Sequence, residues 1–203
     1  MTEVIDCREV APKAANMAMF DGKPGDASWT GGLASAVPGQ LHCLELMHSR
    51  HGHLPWSDVV APAVQLSREG VLVTPYLAHA INLKSSQKKI FEHEYLRMLL
   101  TKNHDGENLL QDGDIFTNPA LADTLEAIMK NGIDAFYKGE RAEKMAQELQ
   151  EIGGIITAQD LADYRATMRD PLITKPGEVK GFTMGKFQSS TAVSNALNPF
   201  FGI

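Results

Sequence analysis

The sequence predicts a mostly helical α+β fold with a few short strands near both ends of the chain. Apolar residues recur at helical spacing in several segments between residues 40 and 152. Thr74–Pro75 and Asn118–Pro119 each place a capping side chain before a proline, which is typical of a helix start. Residues 179–183 alternate in the manner of a strand.

The first part of the chain is rich in turns and leads into two predicted helices. Residues 21–26 and the Gly31–Gly32 pair mark turns. Pro38–Gly39 opens the first helix, which is predicted to end at Gly52. The second helix is expected to begin near Ser57–Asp58 and to end at Gly70 in a left-handed cap.

Four further helical segments follow. Thr74–Pro75 begins the third predicted helix, and residues 91–100 carry another helical pattern. Asn118–Pro119 begins the next one, and the amphipathic stretch 142–152 follows it. Gly153–Gly154 ends that stretch as a helix cap, because a phosphate-binding loop would need a lysine and flanking glycines that are absent here.

Residues 157–160 are predicted to start one more short helix. The short apolar run Ile155–Ile156 precedes it.

Composition limits the function classes. The chain has 203 residues, 43% of them apolar, which suits one domain or part of a larger one and argues against disorder. A net charge of -6 with no basic run argues against a nucleic-acid surface. No apolar run reaches the roughly 20 residues of a membrane span, and the acidic start at Met1 does not resemble a signal peptide.

The two cysteines, Cys7 and Cys43, give neither a disulfide framework nor a metal-ligand spacing. Cys43 lies in an apolar helical pattern, so the sequence favours a buried thiol there.

Arg8 is the most informative candidate residue. It lies between Asp6 and Glu9, shortly before Pro12. Acids on both sides can hold a guanidinium in place while part of its donor fork still binds a carboxylate through two parallel hydrogen bonds. The alternative is a surface ion-pair cluster without function.

Two other polar clusters give weaker indications of chemistry. His48 and His51 are three residues apart, with His53 close by, and this spacing can suit zinc. However, Gly52 breaks the helix, and no Cys or acid follows at ligand spacing. Residues 189–191 offer hydroxyl groups, but no nucleophile elbow surrounds them and no base is assignable.

Taken in order, several motifs resemble the gamma-glutamyltranspeptidase (glutathione hydrolase) family. The matching segments are residues 5–20, 36–39, 50–56, 61–63, 66–70, 121–125, 132–139 and 153–165. The resemblance is weak after about residue 164. It implies part of an N-terminal nucleophile hydrolase with an αββα sandwich, and it implies no metal and no cofactor.

The resemblance places residues 1–203 in the second half of the family's large subunit. The chain then resembles a partial domain, without the upstream glycine-rich segment and without the small subunit that begins with the catalytic threonine. We expect the isolated chain to carry no catalytic residue and to be inactive. The sequence itself does not indicate a localisation; the resemblance suggests an extracellular, periplasmic or plasma-membrane-anchored protein.

The family's activity sets the expectation for function. Such enzymes cleave the γ-glutamyl amide of glutathione and pass the acyl group to water, an amino acid or a peptide. The resemblance implies that Arg8 binds the substrate α-carboxylate and that the small catalytic subunit is a partner. Asp6 and Glu9 are expected to be structural: an acid near Arg8 can lock its rotamer, and it can also compete with substrate for the same donors. A catalytically dead paralogue and a helical interaction domain remain as alternatives.

Overall fold

The computed structural model describes residues 3–174 and 181–183. The helices are α1 (Gln40–His51), α2 (Trp56–Glu69), α3 (Pro75–Asn82), α4 (Lys84–Glu92), α5 (Glu94–Leu99), α6 (Pro119–Asn131), α7 (Asp134–Tyr137), α8 (Gly139–Glu151) and α9 (Ala158–Asp163). The strands are β1 (Val4–Asp6), β2 (Val71–Leu72), β3 (Ile115–Phe116), β4 (Thr167–Arg169), β5 (Leu172–Thr174) and β6 (Gly181–Thr183). The prediction of a mostly helical α+β fold is confirmed.

The predicted helix starts at Thr74 and Asn118 are confirmed. The Thr74 hydroxyl accepts a hydrogen bond from the Leu77 N–H (3.3 Å), and the Asn118 side chain accepts one from the Leu121 N–H (3.0 Å). Both bonds satisfy donors that the first helical turn leaves open. Thr157 completes a capping box with Asp160 at the start of α9.

Two predicted boundaries are wrong. The helical pattern at residues 91–100 is divided between α4 and α5, because His93 has an extended backbone (φ -114°, ψ 111°). The α2 helix begins at Trp56 rather than near Ser57–Asp58, since the Pro55 carbonyl already accepts hydrogen bonds from the first turn.

The predicted cap at Gly70 is partly wrong. Gly70 has a positive φ of 97°, but its ψ of 167° lies outside the left-handed helical region because the chain turns directly into β2. The predicted strand 179–183 is present from Gly181 to Thr183 as β6, which pairs antiparallel with β5. Residues 179 and 180 lie outside the described residues.

The chain divides into two compact units. The first comprises residues 1–53 and 137–203. In it, β1 pairs antiparallel with β4, so that Ile5 lies opposite Met168 and Asp6 opposite Thr167. Its buried side chains come from segments far apart in sequence, namely Val37, Tyr137, Ala142, Ala146, Ile156, Leu161 and Tyr164.

The second unit, residues 54–136, contains the antiparallel β2–β3 pair and a contact between α2 and α6. The Trp56 indole donates a hydrogen bond to the Ile128 carbonyl (3.1 Å), which joins the start of α2 to α6. A separate apolar cluster is formed by Val73, Ala78, Ile81, Ile90, Leu109 and Leu110. No helix in the described part of the chain has both the length and the apolar character that a membrane crossing requires.

The interpretation of the cysteines is wrong. Cys7 and Cys43 form a disulfide, with Cα atoms 5.4 Å apart across a sequence separation of 36 residues. Cys43 is therefore not a buried free thiol. The disulfide forms because α1 lies against β1. That contact cannot be predicted from the spacing of the two cysteines in the sequence.

Candidate substrate-binding site

The main chain around Arg8 is held at several successive residues. The β1–β4 pairing extends to Asp6, and the disulfide fixes Cys7. Two residues beyond Arg8, Val10 forms an isolated antiparallel bridge with Val37, in which the two N–H···O distances are 3.2 and 2.9 Å. This short segment is consequently anchored on both sides of the arginine.

Arg8 itself has a fixed main chain and an exposed side chain. Its carbonyl accepts a hydrogen bond from the Tyr164 hydroxyl (2.8 Å), and its N–H donates to the Asp6 carboxylate (3.2 Å). Its side chain is 66% exposed and ends 3.4 Å from a Glu9 carboxylate oxygen. Because an ion pair this exposed is worth only about 0–1 kcal/mol, a better carboxylate can replace Glu9 at little cost.

Arg8 lines a cavity of about 290 Å³ in the first unit. The lining residues are Asp6, Arg8, Glu9, Val10, Tyr164, Arg165, Thr167 and Arg169. Three arginines against two carboxylates give this lining an excess of positive charge, which favours an anionic ligand.

Asp6 does not hold the Arg8 guanidinium, although the sequence suggested that acids on both sides could do so. Its carboxylate accepts a hydrogen bond from the Arg169 Nε (2.5 Å) and one from the Arg8 main chain. Asp6 therefore links β1 to β4 through Arg169, and the Arg8 side chain pairs with Glu9 instead. These contacts fit the predicted structural role for Asp6, while the role of Glu9 stays a prediction.

A second anchor joins the Arg8 segment to α9. The buried Asp160 carboxylate accepts a hydrogen bond from the Lys13 N–H (3.0 Å), as well as bonds from the Thr157 N–H (2.9 Å) and hydroxyl (2.6 Å). Sequence reasoning identified Thr157 and Asp160 only as a helix start. Sequence reasoning overlooked Tyr164, which lies at the C-terminal end of α9 and contacts Arg8.

Acidification is expected to weaken this second anchor. Burial of Asp160 works to raise the pKa, but the Thr157 and Lys13 hydrogen bonds outweigh it and hold the pKa below its ordinary value of 3.8. A carboxyl with a lowered folded-state pKa stabilises the fold above its unfolded-state pKa and loses that contribution as the pH falls.

We therefore expect Asp160→Asn to lower the free energy of unfolding by about 1–3 kcal/mol at neutral pH. The difference from the unsubstituted chain should shrink below about pH 4. Urea denaturation across this pH range measures both quantities. A difference that stays constant down to the lowest pH would contradict this role for the carboxylate.

Of the histidines His48, His51 and His53, His51 takes part in an ion-pair cluster. The Glu3 carboxylate contacts the His51 ring and lies 2.6 Å from the Arg50 Nη2. Arg50, followed by His51, lowers the pKa of Glu3 to about 2. Within residues 3–174 and 181–183, no three His, Cys, Asp or Glu side chains are grouped as metal ligands. Residues 189–191 lie outside the described residues.

Comparison with known proteins gives a consistent family match. The family model described as Gamma-glutamyltranspeptidase matches residues 1–200. The chain is 40% identical to Scoloptoxin SSD14 of Scolopendra dehaani over 171 residues. That match covers 84% of this chain and 29% of that protein. It is 39% identical over 185 residues to the glutathione hydrolase proenzyme of Escherichia coli K12, covering 89% of this chain and 31% of that protein.

Solved structures confirm the fold prediction of part of an N-terminal nucleophile hydrolase. The gamma-glutamyltranspeptidase of Helicobacter pylori superposes with a TM-score of 0.90 at 29% identity, covering 98% of this chain and 57% of that chain. The enzyme from Pseudomonas nitroreducens, solved with L-DON, gives a TM-score of 0.79 at 30% identity, covering 96% of this chain and 57% of that chain. The chain spans about 30% of the length of the curated relatives. It belongs to the gamma-glutamyltranspeptidase family.

Proposed function

We propose that this chain supplies the carboxylate-binding residue of a glutathione hydrolase, with Arg8 binding the α-carboxylate of the γ-glutamyl group. The substrates are glutathione and other γ-glutamyl compounds, and the acyl group passes to water, an amino acid or a peptide. The observation that carries the proposal is an exposed guanidinium on an anchored main chain at a cavity with excess positive charge.

The charges beside Arg8 match the substrate's amino-acid end. That end carries one carboxylate and one ammonium group, and the cavity places a guanidinium 3.4 Å from the Glu9 carboxylate. A bound carboxylate on Arg8 would leave Glu9 available to the neighbouring ammonium. A planar guanidinium also sets the direction of the carboxylate, which a lysine ammonium does not.

Binding at Arg8 would determine where the reacting bond lies. Once the α-carboxylate is fixed, the length of the glutamyl side chain sets the position of the γ-carbonyl, and such positioning accounts for much of enzymatic rate enhancement. By family membership, the attacking group is the threonine that begins the small subunit, with its α-amine as the base. The role of this chain is to bind and orient the substrate.

The two alternatives are less well supported. The glutathione hydrolase of Escherichia coli matches over 89% of this chain, which favours an enzyme over a helical interaction domain. A catalytically dead paralogue would share the carboxylate site, so binding alone does not distinguish it. Turnover of a chromogenic γ-glutamyl anilide by the full-length protein does.

Paired ligands test the binding step on the full chain. L-Glutamine keeps the α-carboxylate and neutralises the side-chain end, whereas L-isoglutamine has an α-amide and a γ-carboxylate. We expect L-glutamine to shift the nitrogen-15 NMR signal of the Arg8 Nε–H, and L-isoglutamine to leave it unchanged. The signal of Arg50, which pairs with Glu3 away from the cavity, serves as the internal control. Equal shifts with both ligands would refute recognition of the α-carboxylate.

A further inference from the structure

We infer that Tyr164 is a positioning residue for substrate binding, because its hydroxyl fixes the peptide group from which the Arg8 side chain projects. This inference rests on the proposed function of Arg8 and extends it to the α9 segment. The Tyr164 hydroxyl bonds to the main-chain carbonyl of Arg8, so it acts through Arg8.

The contact is direct and well placed. The Tyr164 hydroxyl donates to the Arg8 carbonyl at 2.8 Å across 156 residues of sequence. A carbonyl oxygen has no proton to donate, so the hydroxyl must be the donor in this pair. Burial raises the pKa of Tyr164 above 10, and the negative charges of Asp6 and Glu9 add to the shift, so the hydroxyl keeps its proton at neutral pH.

The Tyr164 ring is held as firmly as its hydroxyl. The residue is 4% exposed, and its ring is stacked on Tyr137 with centroids 6.2 Å apart and planes 10° from parallel. The His42 ring lies 5.4 Å away. Because the ring is buried between these neighbours, the hydroxyl has little freedom to leave the Arg8 carbonyl.

Gly39 shows independently how closely this region is packed. A Cβ atom there would lie 2.0 Å from the Tyr164 hydroxyl oxygen and 2.3 Å from the Cys7 carbonyl oxygen. Its φ of -113° is accessible to any residue, so the glycine is required for space and not for backbone conformation. The hydroxyl therefore occupies a fixed position between the start of α1 and the Arg8 segment.

Positioning has a kinetic signature. If the Arg8 peptide tilts, the guanidinium still carries its charge but no longer presents both N–H groups to the carboxylate in the bound geometry. Ground-state binding weakens, and KM rises more than kcat falls. Loss of global stability would instead lower the amount of active enzyme without a selective change in KM.

The test compares two hydroxyl deletions in the full-length protein. Tyr164→Phe keeps the stacked ring and removes the hydroxyl. We expect it to raise KM for a γ-glutamyl anilide about three- to tenfold with kcat little changed, because the loss of one neutral hydrogen bond changes a binding constant by about that factor. Tyr95→Phe is the control, since it also deletes a tyrosine hydroxyl, but at a residue on α5 in the second unit that is 61% exposed. We expect Tyr95→Phe to leave KM unchanged.

A double-mutant cycle separates positioning from a merely structural effect. In an Arg8→Ala background, Tyr164→Phe should have no further effect on KM, because the positioned group is gone. An equal rise of KM in both backgrounds, or an equal rise with Tyr95→Phe, would overturn the inference. The dissociation constant of L-glutamine on the full chain gives a second readout that needs no turnover.

The same measurements distinguish a failure of the positioning role of Tyr164 from a failure of the carboxylate-binding role of Arg8. If Arg8→Ala weakens substrate binding and Tyr164→Phe does not, only the positioning role is refuted. If Arg8→Ala itself leaves KM and the dissociation constant unchanged, the carboxylate site is refuted, and the role of Tyr164 with it.

Discussion

Replacing Arg8 with lysine in the full-length protein is expected to raise KM for γ-glutamyl substrates about 10- to 100-fold. The range corresponds to the loss of a charge-assisted hydrogen bond. Lysine keeps the positive charge but provides a point charge on a flexible stem, so it cannot bind the carboxylate through two parallel hydrogen bonds. Because the lost interaction exists in the ground state, kcat should fall less than KM rises.

Arg50→Lys is the matched control for that experiment. Arg50 also pairs with a carboxylate, Glu3, through a distance of 2.6 Å, but it does not line the cavity. Steady-state kinetics with a γ-glutamyl anilide should therefore give an unchanged KM for Arg50→Lys. A large fall in kcat at unchanged KM for Arg8→Lys would contradict a ground-state carboxylate clamp.

Removing the disulfide is expected to be the largest stability change. The bond closes a loop across a separation of 36 residues. On the loop-entropy model this closure stabilises the fold by about 3–4 kcal/mol. The variant Cys7→Ser/Cys43→Ser should lose that amount in the free energy of unfolding, measured by urea denaturation of the full chain.

A reductant provides the control for the disulfide experiment. Reducing agent should destabilise the unsubstituted chain by a similar amount and leave Cys7→Ser/Cys43→Ser unaffected. Since Cys7 adjoins Arg8, the same variant should also bind L-glutamine more weakly. Equal unfolding free energies with and without reductant would contradict a stabilising role for the bond.

The parts of the fold that the sequence predicts well are those determined by local contacts. The caps at Thr74 and Asn118 each involve a backbone N–H three residues away, so a few consecutive side chains determine them. The division at His93 could not be predicted in the same way. The apolar pattern of residues 91–100 continues through it, and the extended backbone at one residue decides the break.

The contacts that build the candidate site are long-range, and residue patterns alone do not reveal them. Asp160 reaches Lys13 across 147 residues, and Arg169 reaches Asp6 across 163. From the sequence, Asp6 is expected to contact the Arg8 side chain because the two residues are only two positions apart. In the structure the Asp6 carboxylate bonds to Arg169 instead, because the pairing of β1 with β4 brings that arginine to it.

Arg8 was identified from a motif and a family resemblance, since its own contacts give little sign of function. Its side chain is exposed and its one ion pair in the described part of the chain, with Glu9, is long. What the structure adds is the anchoring of its main chain by Cys7, Val10 and Tyr164. This anchoring supports the proposed carboxylate-binding role of Arg8.

A crystal structure of the full-length protein with bound L-glutamate tests the central claim most directly. The account predicts the α-carboxylate in contact with the Arg8 guanidinium through two parallel hydrogen bonds of about 2.8 Å each. It also predicts the Tyr164 hydroxyl still bonded to the Arg8 carbonyl. An α-carboxylate bound at another cation, with Arg8 still paired to Glu9, would contradict it.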